Sequence, residues 1–227
     1  MDKSAFLDRV RAAAHAGRAY RVATREVPAG TGYVGAVGDL CERFASEVNA
    51  VGGQAQIVTD HAAAREALQA ILRHYQVRSA LVWEEHATLT RLGLVDLLTA
   101  EQVTTLAHAN LQPLAPPQQR AQVLAADIGI TSCEFAIAET GTLVMCSRAR
   151  RERMASLVPP VHVAIVEAAQ IVPDLFDVFV AMDSSPLPSN ITLITGPSKT
   201  GDIELQLTTG VHGPKHWHVI VIRNHLL

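Results

Sequence analysis

The sequence predicts an α/β fold, a mostly parallel β-sheet layered with helices and preceded by an N-terminal helical appendage. Three observations carry this. Short apolar runs of strand length recur along the chain, helical apolar periodicities fall between them, and the runs are continuous rather than alternating. Strands covered on both faces by helices have that texture. With 227 residues, 48% of them hydrophobic, the chain can bury one sizeable core and leaves little room for two full domains.

The elements follow in order. Phe6, Leu7, Val10, Ala13 and Ala14 repeat at helical spacing and stop at Gly17; Leu40, Phe44, Val48 and Val51 mark a second helix ended by Gly52 and Gly53. Residues 1–53 are therefore read as the appendage and residues 54–227 as the α/β domain, packed as one unit. Between the two helices, Gly30-Thr31-Gly32-Tyr33-Val34-Gly35 matches G-x-G-x-x-G, but no clear strand precedes it, so a loop is expected rather than a dinucleotide fingerprint. Ala55–Thr59 reads as a buried strand, followed by a helix with Ala64, Ala67, Leu68, Ile71, Leu72 and Tyr75 on one face, and Ser79–Trp83 as the next strand. Gln118–Ala125 is expected to be helical. Later strands are expected at Gly141–Cys146, His162–Val166, Ile191–Thr195 and His218–Ile222, with a helix over Val172–Met182.

Composition excludes several classes of function. The net charge is −3, and the densest basic stretch is Arg148-Ala149-Arg150-Arg151-Glu152-Arg153, too short for a phosphate-neutralising footprint, so no nucleic acid is expected as a partner. Cys41, Cys133 and Cys146 form no C-x-x-C, which argues against an intrinsic zinc or iron–sulfur site, and no cofactor and no metal are expected. No segment approaches the roughly 18 continuous apolar residues of a membrane helix, and the start lacks a signal-like apolar run, so the expected location is cytoplasmic.

Three clusters could carry chemistry. In Ala138-Glu139-Thr140-Gly141-Thr142, a carboxylate beside small residues precedes an apolar strand; Glu139 could be nucleophile or base, or the segment could be a tight turn with Gly141 at positive φ. In Gly196-Pro197-Ser198-Lys199-Thr200-Gly201-Asp202, a strand runs into a turn and then into an expected short helix. Free amides, the Ser198 and Thr200 hydroxyls and the Lys199 ammonium there would suit an anion. In Val211-His212-Gly213-Pro214-Lys215-His216-Trp217-His218, the Gly-Pro bend separates His212 from His216 and His218, which would share one strand face; His212, Gly213 and Lys215 are candidates for a ligand-facing loop. In parallel sheets ligands sit outside the carboxyl ends of strands, which points to the positions after Val166 and Thr195 and to the Glu139 turn.

Taken together, Asp127–Thr131, Ile137–Val144, Pro159-Pro160-Val161-His162-Val163, Gly196–Ile203 and Gly210–Pro214 occur in one family's order. From about Gln54 to its end the chain resembles the lactate-utilisation C proteins, or LUD-domain proteins. The resemblance implies a NagB/RpiA/CoA-transferase-like fold and a place in a three-component system oxidising lactate to pyruvate, with iron–sulfur proteins as partners. It leaves three readings open: a cluster-free subunit binding an organic acid or an anionic cofactor, an acyl- or CoA-transferring enzyme using Glu139, and a ligand-sensing or scaffold protein. The related transferases place their nucleophilic glutamate in a Ser-Glu-Asn-Gly turn, from which Ala138 and Thr140 depart.

Overall fold

The computed structural model describes residues 2–17, 35–182, 188–201, 207–210 and 212–223. Gly30–Val34 of the G-x-G-x-x-G stretch, and Asp202, lie outside them. The chain divides into two units, the first ending at Val34. Its described part is one helix, α1 (Lys3–Gly17), with Phe6 and Val10 exposed.

The second unit, from Gly35 onward, holds the other described α-helices and strands, besides a 3₁₀ turn at Ala168–Gln170. In chain order these are α2 (Leu40–Ala50), β1 (Gln54–Val58), α3 (His61–His74), β2 (Ser79–Val82), α4 (Ala87–Leu92), α5 (Leu94–Ala100), β3 (Thr104–Leu106), α6 (His108–Leu111), α7 (Pro116–Leu124), β4 (Ile128–Thr131), β5 (Phe135–Ile137), β6 (Thr142–Ser147), α8 (Met154–Leu157), β7 (Val161–Glu167), β8 (Ile171–Val172), α9 (Leu175–Met182), β9 (Asn190–Ile194), β10 (Lys199–Gly201), β11 (Leu207–Thr209) and β12 (His216–Ile222). Six strands form a wholly parallel sheet in the order β1-β12-β7-β4-β2-β3. The α/β expectation holds, and its strongest signals are the central strands. All seven residues of β7 are buried, as are Trp217–Ile222 of β12. Each fully buried aliphatic side chain contributes about 1.5–3 kcal/mol, so Val163, Ile165, Val219 and Ile220 anchor the core.

The helices start where the polar signals say. Asp60 accepts from the Ala63 amide to cap α3, whose buried face is Ala64, Ala67, Leu68 and Leu72. Asp39 caps α2 by accepting from the Cys41 and Glu42 amides. The sequence reading groups α2 with α1 in the appendage, but α2 lays Cys41, Phe44 and Val48 into the main core. Its apolar spacing of three and four residues is that of a helix with a sheet to cover.

Two regions differ from expectation. The turn after Gly196 leads into β10, paired antiparallel with β11, and not into a short helix. Pro173 delays the expected Val172 helix to Leu175, where Asp174 accepts from the Phe176 and Asp177 amides, and Ile171–Val172 instead join a second sheet. That sheet, in the order β8-β5-β6-β9, is largely antiparallel. It has two sides, since Leu143 and Met145 of β6 enter the main core while Val144 and Cys146 enter a satellite core under α9.

Candidate functional site

Antiparallel pairing of β6 with β9 matches Leu143 to Ile194 and brings the strand after the Glu139 turn beside the start of the Gly196 turn. A chain of hydroxyls joins them: Thr140 Oγ1 to Thr142 Oγ1 at 2.7 Å, and Thr142 Oγ1 to Thr195 Oγ1 at 2.7 Å. The Ser198 amide donates to the Pro214 carbonyl at 2.9 Å, and the Gly210 amide to the Ser198 carbonyl at 2.9 Å. The His212 loop is thereby fastened to the Gly196 turn. The Lys215 and His216 amides both donate to the Pro160 carbonyl, tying the same loop to the start of β7.

A cavity of about 250 Å³ lies where these loops meet. Ser156, Leu157, His162, Thr192–Ser198, His212, Gly213, Pro214 and Trp217 line it. His162 and Trp217 are register partners, each the second residue of its strand, so they share one face at the amino ends of β7 and β12. Gly129, level with His162 on β4, leaves room above it for α8, because a Cβ there would run into the Ala155 carbonyl. His162 is wholly buried; its Nε2 meets Thr131 Oγ1 at 2.9 Å, and its Nδ1 has no protein partner. The Trp217 indole nitrogen is likewise buried and unpartnered. Burial, aided by the neighbouring His218, pushes the His162 imidazole down to about 3, so it is neutral at physiological pH.

The structure brings together four of the residues proposed from sequence: Gly196, Ser198, His212 and Gly213 line the cavity. Lys199 does not line it; its ammonium donates to the Val51 carbonyl at 2.6 Å, next to the C-terminal end of α2. Lys215 is exposed and is held through its backbone. Thr200 lies in β10. Glu139 is also absent from the lining. Its amide donates to the Pro173 carbonyl at 3.2 Å, and the turn it begins sits on α2. Gly141 has φ +64, and a Cβ there would lie 2.6 Å from the Val48 amide nitrogen, so glycine is required on both counts. His216 and His218 do share a face, both beside the Tyr75 ring, with the Tyr75 hydroxyl 2.9 Å from His218 Nε2.

Sequence reasoning missed His162, Ser156, Thr192 and Thr195 as lining residues. Only His162 carried a signal, a polar ring inside a strand otherwise apolar up to Glu167. At the carboxyl end of β7, the position after Val166 is Glu167. Its carboxylate accepts from Arg91 Nε at 2.9 Å and lies 3.1 Å from His61 Nε2. Burial pushes this carboxyl up, but the Arg91 and His61 hydrogen bonds and charges outweigh it and the net shift is downward.

Comparison with known proteins places these features in context. The family model described as the LUD domain matches residues 41–222. A protein named lactate utilization protein C from Halalkalibacterium halodurans is 33% identical over 164 residues, which is 70% of this chain and 69% of that protein. A protein of the same name from Deinococcus radiodurans is 39% identical over 109 residues, 47% of this chain and 51% of its own length. Among solved structures, a DUF162 family protein from Deinococcus radiodurans superposes with a TM-score of 0.54 at 23% identity, covering 82% of this chain and 99% of the other. That likeness concerns the fold.

Proposed function

The chain belongs to the LUD domain family, and from that premise we propose that it is the C-type subunit of a lactate-utilisation system and holds a small organic acid in the cavity between the Gly196 turn and the His212 loop. The observation that carries this reading is the cavity floor. Two buried ring nitrogens, His162 Nδ1 and Trp217 Nε1, have no protein partner. A buried polar group left unpaired costs about 1–3 kcal/mol, so a ligand supplying partners gains that much in binding. Hydroxyls from Ser156, Thr192, Thr195 and Ser198 surround the floor. Ser156 and Thr192 already donate to the Arg153 carbonyl and to Asn190 Oδ1, and Thr195 is shared with Thr142. The Trp217 N–H and the Ser198 hydroxyl are therefore the donors left for one carboxylate of a small acid, and about 250 Å³ is a small-molecule volume. In this reading iron–sulfur partner proteins carry the electrons of lactate oxidation, and this chain holds the acid.

The test is a thermal titration with lactate and with pyruvate. A ligand at about 100 times its dissociation constant adds roughly 2.7 kcal/mol of stability, so the wild-type melting temperature is expected to rise. Trp217→Phe removes the indole N–H and keeps an aromatic ring, and it is expected to lose most of that gain while remaining folded. A melting temperature that neither acid moves, or an equal gain in the variant, overturns the reading.

A further inference from the structure

At the other edge of the main sheet a cleft of about 840 Å³ opens outside the carboxyl ends of β2 and β3. The segment after β2 shapes its wall and is held rigidly. The Trp83 indole N–H donates to the Glu152 carbonyl at 3.0 Å, and the Glu84 amide donates to the Arg150 carbonyl at 3.0 Å. Glu85 between them has φ +55, a left-handed conformation that costs a non-glycine residue roughly 1–2 kcal/mol. The surroundings impose it, and it sets the orientation of Glu84 and His86 on either side.

Both of those side chains line the cleft and both carry an unused acceptor. Glu84 Oε1 accepts from the Ala109 amide at 3.3 Å, while Oε2 is buried with no partner. His86 is 7% exposed, its ring hydrogen-bonds to the Cys133 backbone, and its Nδ1 is buried with no partner. Burial, with Arg151 nearby, lowers its pKa to about 4, so the ring is neutral. A neutral imidazole has one N–H, and the Cys133 backbone beside the ring favours its lying on Nε2. Nδ1 is left as a lone-pair acceptor. Two acceptors on residues 84 and 86, one of them a carboxylate, call for a ligand edge made of N–H donors. The rest of the lining agrees: Leu94 and Val103 supply apolar walls, Glu85 (paired with Arg150) and Asp96 add two further carboxylates, and no described Lys or Arg is among the lining residues.

We propose that this cleft is a second ligand site, separate from the organic-acid cavity, that takes a planar, neutral or cationic group presenting an N–C–N donor edge, as in an amidine, a guanidinium or an amino-heterocycle, and that it disfavours anions. The volume is over three times that of the first cavity, enough for a ring system together with its substituent. The inference does not depend on the first site being correctly assigned.

Benzamidine and benzoate serve as probes, since they share shape and differ in charge and hydrogen-bonding sense. Calorimetry on the full chain is expected to show saturable binding of benzamidine and none of benzoate at equal concentration. Glu84→Gln keeps the side-chain shape and the acceptor for Ala109, yet removes the charge; it is expected to weaken benzamidine at least about tenfold, the scale of one charge-assisted hydrogen bond. Asp96→Asn, on an exposed helix position, is expected to weaken it about two- to threefold without affecting folding. The pyruvate response should be unchanged in both variants. No saturable heat with benzamidine, equal affinity in wild type and Glu84→Gln, or equal binding of benzoate overturns the proposal and leaves water as the partner of Glu84 and His86.

Discussion

Between about pH 6.5 and pH 4, three imidazoles bind protons differently in the folded and unfolded chain. His162 is held down to about 3, and His86 and His218 to about 4, in each case first by burial. In the unfolded chain each titrates near 6.5. Below that pH the unfolded state therefore takes up protons that the folded state refuses, and acidification favours unfolding. The stability is fully present above about pH 6.5 and is lost progressively toward pH 4. Urea midpoints at pH 8, 7, 6 and 5 are expected to be flat between the first two and to fall steadily after. His162→Leu should flatten the fall, because one of the three refused protons is removed. A midpoint independent of pH from 8 to 5 would mean that these rings reach solvent in the folded state.

The Gly196 turn shows what an element adds to a residue list. From sequence, Lys199 and its neighbours look like an anion cradle, since a lysine beside Ser and Thr in a glycine turn has that chemistry. The reading failed for Lys199 because its partner lies 148 residues upstream: the carbonyl of Val51, which follows α2. No local pattern encodes that meeting. It arises because α2 packs on the core and carries its C-terminal end to the β9 turn, where Gly196 and Lys199 both approach it. Cations favour helix C-terminal ends by roughly 0.3–1 kcal/mol, so Lys199→Ala should lower stability by no more than about 1 kcal/mol. It should leave the pyruvate-induced rise in melting temperature intact, since the ammonium is not part of the cavity wall. Loss of that rise in a folded Lys199→Ala protein would return the lysine to the ligand. Gly196, Ser198, His212 and Gly213 were readable because small residues around Gly-Pro bends mark loops. Convergence of those loops on His162 was not, for it depends on sheet order.

At the scale of the whole molecule, the central parallel strands were visible in sequence, and of the second sheet β6 and β9 were expected as strands while β5 and β8 were not. Continuous apolar runs such as Val163–Val166 and Val219–Ile222, of strand length and rich in β-branched residues, read as central strands. The four-stranded sheet is built from pieces of three and two residues in β5 and β8, too short to show a period. β4 was not among the expected strands, since Gly129 interrupts a four-residue run; the structure needs glycine there because a Cβ would run into the Ala155 carbonyl of α8. The two ends of β7 now have separate occupations. Its amino end carries His162 into the cavity. Its carboxyl end carries Glu167, which joins α3 through His61 and α4 through Arg91.

This junction yields a prediction with its own pH window. Glu167 is 8% exposed and charged, and its carboxyl titrates below the usual carboxylate range because two partners outweigh burial. A depressed carboxylate gives stability that is present above the unfolded value, near pH 4.3, and is lost as pH falls through the lower folded value. Glu167→Gln keeps the shape, removes the charge and leaves Arg91, which is half exposed, able to turn to solvent. The cost at pH 7 is therefore expected at about 1–3 kcal/mol, below that of a fully buried broken pair. The two proteins should converge in stability as pH is lowered toward 4, while both lose the histidine contribution equally over pH 6.5 to 4. Urea midpoints of wild type and variant measured side by side at pH 7, 5 and 4 separate the two effects. A constant gap at all three values would show that Glu167 acts through shape alone, and no gap at pH 7 would show that α3 and α4 are held to β7 by apolar packing without it.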